Sequence, residues 1–409
     1  MSKTVLITIP VLLVGGTEMQ MLNFVNVLIG AGYNVTVCCY YEYDESMVSR
    51  FEKSGAEVLL LKYERAKGLW HLAKGLMRSF KTINPDIVHV QYIASGLVTV
   101  LTARLAGIKT VYATVHQPGR VYGLKEKLFL RTAARLCTAF FCVSRSVEGS
   151  WFGDSELFDP QNVNKGRRHF TVYNGVDAEK IAAIVKETDS RAIKNSLSID
   201  GKKVVGFTGR LRYEKGLDIL IDAMPEVLRS YPDTVLIVIG DGPDRMSLEQ
   251  RAESLGMKSQ SEEQRAESEE SREQRAENGE TTTQYNILWL GQKTPEEVYQ
   301  LYSIMDVVAV PSLFEGFGLV AAEAQAAGLP VVAARIDGLT EIMDDGVSGY
   351  LVETGNSMEL SGAIMDLFSN PEKARNMGMK GQESVREHFS IERFGSTMLG
   401  IYKTTFKRG

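Results

Sequence analysis

The chain has 409 residues, 44% of them hydrophobic and 24% charged, with a formal net charge of −5. That is an ordinary globular composition on a length that exceeds one core, so two domains of roughly 150–200 residues are expected. No apolar run reaches the ~18 residues of a spanning helix, and a negative chain without an aromatic–basic platform argues against nucleic acid as a partner.

The N-terminal half reads as alternating strands and helices. Val5–Ile9 is an apolar strand, and Gly15-Gly16 turns the chain into a helix carrying Met21, Leu22, Val25 and Leu28. The run from Val5 to Val14 contains Pro10 and lacks a small-x-small cleavage site, so a strand is expected there and not a secretory leader. Asn34–Cys39, Glu57–Leu61, Asp86–Val90 and Thr110–Val115 continue the series, and such alternation implies parallel strands joined by right-handed crossovers. His89 and His116 each follow an apolar run at the C-terminal edge of this sheet. Val90 continues the first run, so His89 is expected in the core, while His116 opens outward. Cys38, Cys39, Cys137 and Cys142 have no metal-ligand spacing and are expected as reduced cytosolic thiols. His71, His169 and His388 receive no role.

Charge is uneven along the chain. Residues 1–175 hold 20 Lys and Arg against 13 Asp and Glu, and the rest hold 26 against 38. A basic half beside an acidic half points the first domain toward an anionic partner. Within it, Arg120 to Arg135 interleaves cations with Leu124, Leu128, Phe129 and Leu130. Two readings stand: an ordinary surface helix packing its stripe on the sheet, which is preferred, or a helix lying on an anionic membrane surface.

The C-terminal half repeats the alternation with more telling turns. Val204–Thr208 ends in Gly209, followed by Arg210, Arg212 and Lys215-Gly216 before an amphipathic helix with Leu217, Leu220, Ile221 and Met224. Cations past a strand end neutralise a diphosphate and stabilise it as a leaving group. Val235–Ile239 ends in Gly240-Asp241-Gly242-Pro243, at the edge where open parallel sheets bind ligands. After the helix around Leu248–Ser254, the sequence Glu-Gln-Arg-Ala-Glu recurs at 263–267 and 273–277. Residues 259–284 read as a polar insertion from tandem duplication, unable to bury a core of their own, and Asn286–Gly291 resumes with a strand. Asp306–Val310 is a buried strand leading into Pro311-Ser312-Leu313-Phe314-Glu315-Gly316-Phe317-Gly318, and a helix runs from Leu319 to Ala327, closed by Gly328-Leu329-Pro330. A strand, a glycine turn and a helix N-terminus direct N–H groups and a positive dipole end at one spot, which suits a diphosphate. Glu315 and Glu323 beside it would bind hydroxyls, because a carboxylate repels phosphate. The fold class is therefore α/β, with domains over 1–177 and 178–389. A C-terminal helix at 390–409 (Phe394, Met398, Leu399, Tyr402) is expected to return to the first domain.

Gly209-Arg210-Leu211 with Lys215-Gly216, the Gly240–Pro243 turn, and Glu315 through Glu323 followed by Gly328-Leu329-Pro330 resemble the C-terminal half of retaining family 4 glycosyltransferases. Gly15-Gly16-Thr17-Glu18, the strands ending at His89 and His116, Val143-Ser144 and Asn174-Gly175-Val176-Asp177 match the N-terminal half of that pattern. The resemblance implies two Rossmann-like domains facing across a cleft, the GT-B fold. It implies transfer of a sugar from a nucleoside diphosphate to a saccharide or lipid-linked saccharide hydroxyl, with retention and in a surface-polysaccharide setting. Arg210 and Lys215, with amides of Gly316, Phe317, Gly318, Leu319 and Val320, would hold the departing diphosphate. Glu315 would bind the donor sugar, Glu323 the ribose, and His116 the sugar or acceptor near the reacting carbon. Gly15, Gly16, Gly209 and Gly242 would let backbone approach the donor. No Asp-x-Asp triplet occurs, so no metal and no cofactor beyond the nucleotide-sugar is expected, and the enzyme is expected in the cytoplasm or at the inner face of the plasma membrane. A sugar-nucleotide epimerase, a glycan phosphorylase and a catalytically silent nucleotide-sugar partner protein remain as alternatives.

Overall fold

The computed structural model describes residues 3–91, 96–163, 166–261 and 285–404. The chain divides into two compact units, one comprising Met1–Gly175 with Phe389–Gly409 and the other Val176–His388.

In the first unit the elements run β1 (Thr4–Ile9), α1 (Gly16–Gly30), β2 (Asn34–Cys39), α2 (Glu45–Lys53), β3 (Glu57–Leu60), α3 (Gly68–Ile83), β4 (Ile87–Gln91), α4 (Gly96–Leu105), β5 (Thr110–Val115), α5 (Leu124–Leu136), β6 (Ala139–Cys142), α6 (Arg145–Phe152) and β7 (His169–Thr171). Each strand is a short run of β-branched, aromatic or small apolar residues. Because both faces are covered by helices, the strands are mostly apolar and do not alternate. The sheet is parallel, in the order β3-β2-β1-β4-β5-β6-β7. Strand order therefore reverses between β1 and β4. Val5, Ile7 and Ile9 pack with α1 residues Met21, Val25 and Leu28 in one buried cluster. All four cysteines are buried and unbridged, and burial pushes the Cys39 thiol up to about 11.

The second unit runs α7 (Ala178–Glu187), α8 (Ser190–Leu197), β8 (Lys203–Thr208), α9 (Leu217–Ser230), β9 (Thr234–Ile239), α10 (Arg245–Ser254), β10 (Ser259–Ser261), β11 (Ile287–Trp289), α11 (Pro295–Tyr302), β12 (Val307–Val310), α12 (Leu319–Ala326), β13 (Val331–Ala334), α13 (Leu339–Ile342), β14 (Tyr350–Val352), α14 (Ser357–Ser369) and α15 (Pro371–His388). Its parallel sheet has the order β10-β11-β9-β8-β12-β13-β14, so the reversal falls between β8 and β12. Helix α16 (Ile391–Lys403) belongs to the first unit, where Phe394, Met398, Ile401 and Tyr402 join the buried cluster.

Ser259–Ser261, expected inside the polar insertion, form β10 and pair with β11 in the register Gln260↔Leu288, with Gln260 buried. Backbone pairing, which ignores side-chain polarity, recruits these residues to the sheet edge. The remainder of the expected insertion, 262–284, lies outside the described residues, as do 405–409 of the expected C-terminal helix.

Candidate functional site

In an open parallel sheet the loops on either side of a strand-order reversal part from each other, leaving a crevice at the C-terminal edge. In the second unit these loops are residues 209–216 after β8 and 311–318 after β12. Gly209 and Gly240 adopt φ of 154° and 132°. A Cβ on Gly240 would run into the Gly209 carbonyl, so the two strand-end turns touch through backbone alone. Gly209 N–H donates to the Ile239 carbonyl at 2.9 Å, and Leu211 N–H to the Asp241 carbonyl at 2.9 Å. Across the crevice, Leu313 N–H donates to the Glu214 carbonyl at 2.9 Å, and Gly216 sits against the Pro311 carbonyl where a side chain would not fit.

These backbone ties bring two of the expected site residues together. Lys215 Nζ donates to Glu315 Oε1 at 2.5 Å, and Ser312 Oγ donates to the same oxygen at 3.1 Å. Both charged side chains are largely covered, 26% and 14% exposed respectively. Arg210 is exposed on the same loop as Lys215. Gly318, at φ 104°, caps α12 in the left-handed region, and its α-carbon lies against Leu339. The first N–H groups of that helix, at Leu319, Val320 and Ala321, lack intrahelical acceptors by geometry and carry the positive end of the dipole.

Glu323 lies in the second turn of α12. Tyr299 Oη, from α11, donates to Glu323 Oε1 at 3.4 Å. Burial pushes the Glu323 carboxyl up to about 7, partly offset by that hydroxyl. The side chain still keeps some solvent access, so a ligand can reach it. Lys215, Glu315, Glu323 and the α12 amides thus flank a single strand-order reversal. Gly242, by contrast, packs against the Leu211 backbone, where a Cβ would clash.

The first unit has its own reversal, between β1 and β4. Gly15 caps α1 with extended backbone, and the Glu18 carboxylate lies so close that a Cβ on Gly15 would approach Oε2 to 2.7 Å. His116 follows β5, and its Nε2 lies 2.8 Å from Gln91 Oε1 at the end of β4. An amide oxygen only accepts, so this pairing makes Nε2 the protonated nitrogen. Burial lowers the His116 pKa to about 4, so the ring is neutral near pH 7. Part of its surface remains exposed, at a small pocket that Gln20, Gln91 and Asn174 also line. His89 is different. It is fully buried, with Nδ1 3.0 Å from Tyr402 Oη and Nε2 2.8 Å from Thr114 Oγ1, which makes it a core residue.

Tyr299, Ser312 and Gln91 were given no role by sequence reasoning. Ser312 stood inside the quoted loop, but nothing in its spacing said it would point at Glu315. Tyr299 sits one helix earlier, and no local pattern links it to Glu323. Among the described residues, no group of three or more His, Cys, Asp or Glu side chains is placed to hold a metal ion.

Two family models match the chain: Glycosyltransferase Family 4 over residues 14–180 and Glycosyl transferases group 1 over residues 202–370. A D-inositol 3-phosphate glycosyltransferase of Corynebacterium urealyticum is 30% identical over 334 residues, covering 78% of this chain and 71% of that protein. The protein of the same name from Segniliparus rotundus is 33% identical over 254 residues, 59% of this chain and 51% of its own length. The match thus spans about half of that relative. Among solved structures, Anabaena HepE in complex with UDP and glucose superposes with a TM-score of 0.76 at 19% identity, covering 98% of this chain and 100% of that one. At that identity the likeness is one of fold.

Proposed function

The chain belongs to the family 4, group 1 glycosyltransferases, with the GT-B fold, and we propose that it transfers a hexose-type sugar from a nucleoside diphosphate to a hydroxyl of a saccharide or lipid-linked saccharide, retaining the anomeric configuration. The observation that carries this reading is the Lys215–Glu315 pair between the two loops that flank a strand-order reversal, the second of which leads into α12 and Glu323. Lys215, Arg210 and the amides of Gly316 to Val320 hold the diphosphate. Glu323 accepts from ribose hydroxyls and Glu315 from the donor sugar. In the reaction the bond from the anomeric carbon to the donor phosphate oxygen breaks and the acceptor oxygen bonds to that carbon on the same face. The acceptor proton leaves with the departing phosphate oxygen. Cations and helix amides do here what a bound metal does elsewhere, so no metal is required. Neutral His116 hydrogen-bonds the sugar or acceptor near the reacting carbon, and Gly15-Gly16 admit backbone close to the ligand. Synthesis of a surface polysaccharide or glycolipid at the inner face of the plasma membrane is the setting we assign.

The test is a thermal-shift screen with uridine-, guanosine-, adenosine- and deoxythymidine-diphosphate sugars in excess EDTA, repeated on Glu323→Ala and Arg210→Ala. Uridine donors come first, because the Anabaena structure was obtained with UDP-glucose. A ligand that binds only the folded state raises its stability by mass action. Stabilisation by one nucleotide class, lost in both variants, followed by release of that nucleoside diphosphate with an acceptor, supports transfer. Binding without turnover across an acceptor panel would favour the silent partner, and no shift with any donor would remove the reading.

A further inference from the structure

We propose that the outer face of α3, α4 and α5 in the first unit is a docking surface for an anionic lipid bilayer. Helix α4 packs against both α3 and α5 on one side of the sheet. All three bury their inner stripes: Leu72, Leu76 and Phe80; Val100 and Ala103; Leu130, Ala133 and Ala134. Large apolar side chains on the same three helices are exposed among the described residues. Leu69 and Trp70 begin α3, Leu105 ends α4, and Leu124, Leu128 and Phe129 lie on α5. Trp70 is 85% exposed, Leu105 78% and Leu124 87%. Among the described residues of this unit, every large hydrophobic side chain found exposed lies on these three helices or at Val121 just before α5. Scattered apolar exposure is normal on a protein surface; concentration on one face is not.

Charge selects the partner. Helix α3 holds Lys74, Arg78 and Lys81 with no carboxylate, and α5 holds Lys125, Lys127, Arg131 and Arg135 against Glu126 alone. Cations interleaved with leucines and an exposed tryptophan suit the headgroup layer of an anionic bilayer, where the amphipathic ring and apolar tips enter and the ammonium groups pair with phosphates. A second copy of this chain, bearing the same positive face, would be repelled. The surface deepens the lipid-linked acceptor reading and takes its purpose from it, but the binding is measurable without donor or acceptor.

The structure supplies its own probe. Of the chain's three tryptophans, Trp151 and Trp289 are fully buried, so a change in emission on adding vesicles reports Trp70. The full chain is mixed with vesicles of equimolar phosphatidylcholine and phosphatidylglycerol, with pure phosphatidylcholine, and with a polyanion such as heparin. The expected result is a blue shift and co-sedimentation with the anionic vesicles only, weakened by salt. Lys125→Ala with Lys127→Ala should lower partition on the order of ten-fold, and Leu124→Ser with Leu128→Ser should abolish it, while melting temperature and nucleotide-sugar binding stay unchanged. Equal binding to neutral vesicles, a blue shift with heparin matching that with lipid, or no shift with anionic lipid overturns the proposal. Any of these leaves the transfer reading standing if donors still stabilise the protein.

Discussion

Lys215 Nζ and Glu315 Oε1 lie 2.5 Å apart although 100 residues separate them in sequence. The loop after β8 and the loop after β12 therefore present one neutralised pair. Its largely covered setting makes removal of one partner costlier than removal of both. Lys215→Ala should lower turnover by ~10²–10³-fold through loss of charge on the departing diphosphate. Glu315→Gln should weaken binding of the nucleotide-sugar more than binding of the free nucleoside diphosphate. A double-mutant cycle on urea stability should return a coupling of about 1–3 kcal/mol; additive single-variant costs would show that the two groups do not support each other in solution.

His116 and Gln91 make the second pairing, 2.8 Å apart at neighbouring strand ends. If His116 serves the sugar or acceptor as proposed, His116→Ala should cut turnover by ~10²-fold or more while nucleotide affinity changes little. Gln91→Ala should cost less, since it only fixes the ring. With its pKa held near 4, His116 should add no acidic limb near pH 6.5 to the rate profile. A limb at the ordinary histidine value, lost in His116→Asn, would contradict the buried, neutral ring.

His89 should show itself in stability and not in rate. Burial lowers its pKa from 6.5 to about 3. Below pH 6.5 the unfolded chain takes up a proton that the folded chain refuses, so stability present above that pH is lost as pH falls toward 3. Urea midpoints measured from neutral to about pH 5 should decline less steeply in His89→Gln than in the parent chain. The variant itself should cost ~2–4 kcal/mol, because Tyr402 and Thr114 lose their partner.

The same contrast explains what could be read from sequence. Val5–Ile9, Asn34–Cys39, Thr110–Val115 and Val235–Ile239 are long apolar runs, and each is a strand within one residue of its expected bounds. Strands β7 and β14 have three residues each, and β6 and β13 four; no periodicity exists at that length, and pairing to a neighbour makes them strands. In the site, the glycines stood out because backbone geometry demands them locally, and Glu315 and Glu323 because they flank that glycine turn. Tyr299 and Gln91 did not, because each reaches its partner only once separate segments are folded together; Ser312 meets Glu315 within one loop, whose irregular conformation no periodicity encodes.

The register Gln260↔Leu288 has a consequence for the duplicated segment. Strands β10 and β11 are parallel and adjacent, so the chain must travel from the C-terminal end of one to the N-terminal end of the other, which takes about a dozen residues. Deleting residues 268–277, one copy of the repeat, leaves that minimum and should keep both melting temperature and donor binding. Deleting all of 262–284 should free β10, expose the Leu288 edge and lower the melting temperature. Equal tolerance of both deletions would mean that β10 contributes nothing to the sheet.

Glu323 links the site to pH. Its carboxyl is raised to about 7 by burial, so between about pH 4.5 and 7 the folded state binds more proton than the unfolded one. Stability of the ligand-free protein should therefore fall as pH rises through that window, and Glu323→Gln should flatten the fall. Hydroxyls of a bound ribose donate hydrogen bonds and favour the ionised form. Nucleoside diphosphate binding should then release a proton near pH 7, visible in calorimetry as a dependence of heat on buffer ionisation, and affinity should rise as pH increases through 7. Tyr299→Phe removes the one hydroxyl that favours the carboxylate in the free protein. It should move the midpoint of the affinity profile upward while leaving the profile's shape intact. Proton release that persists in Glu323→Gln would assign the linkage to another group and detach Glu323 from the nucleotide.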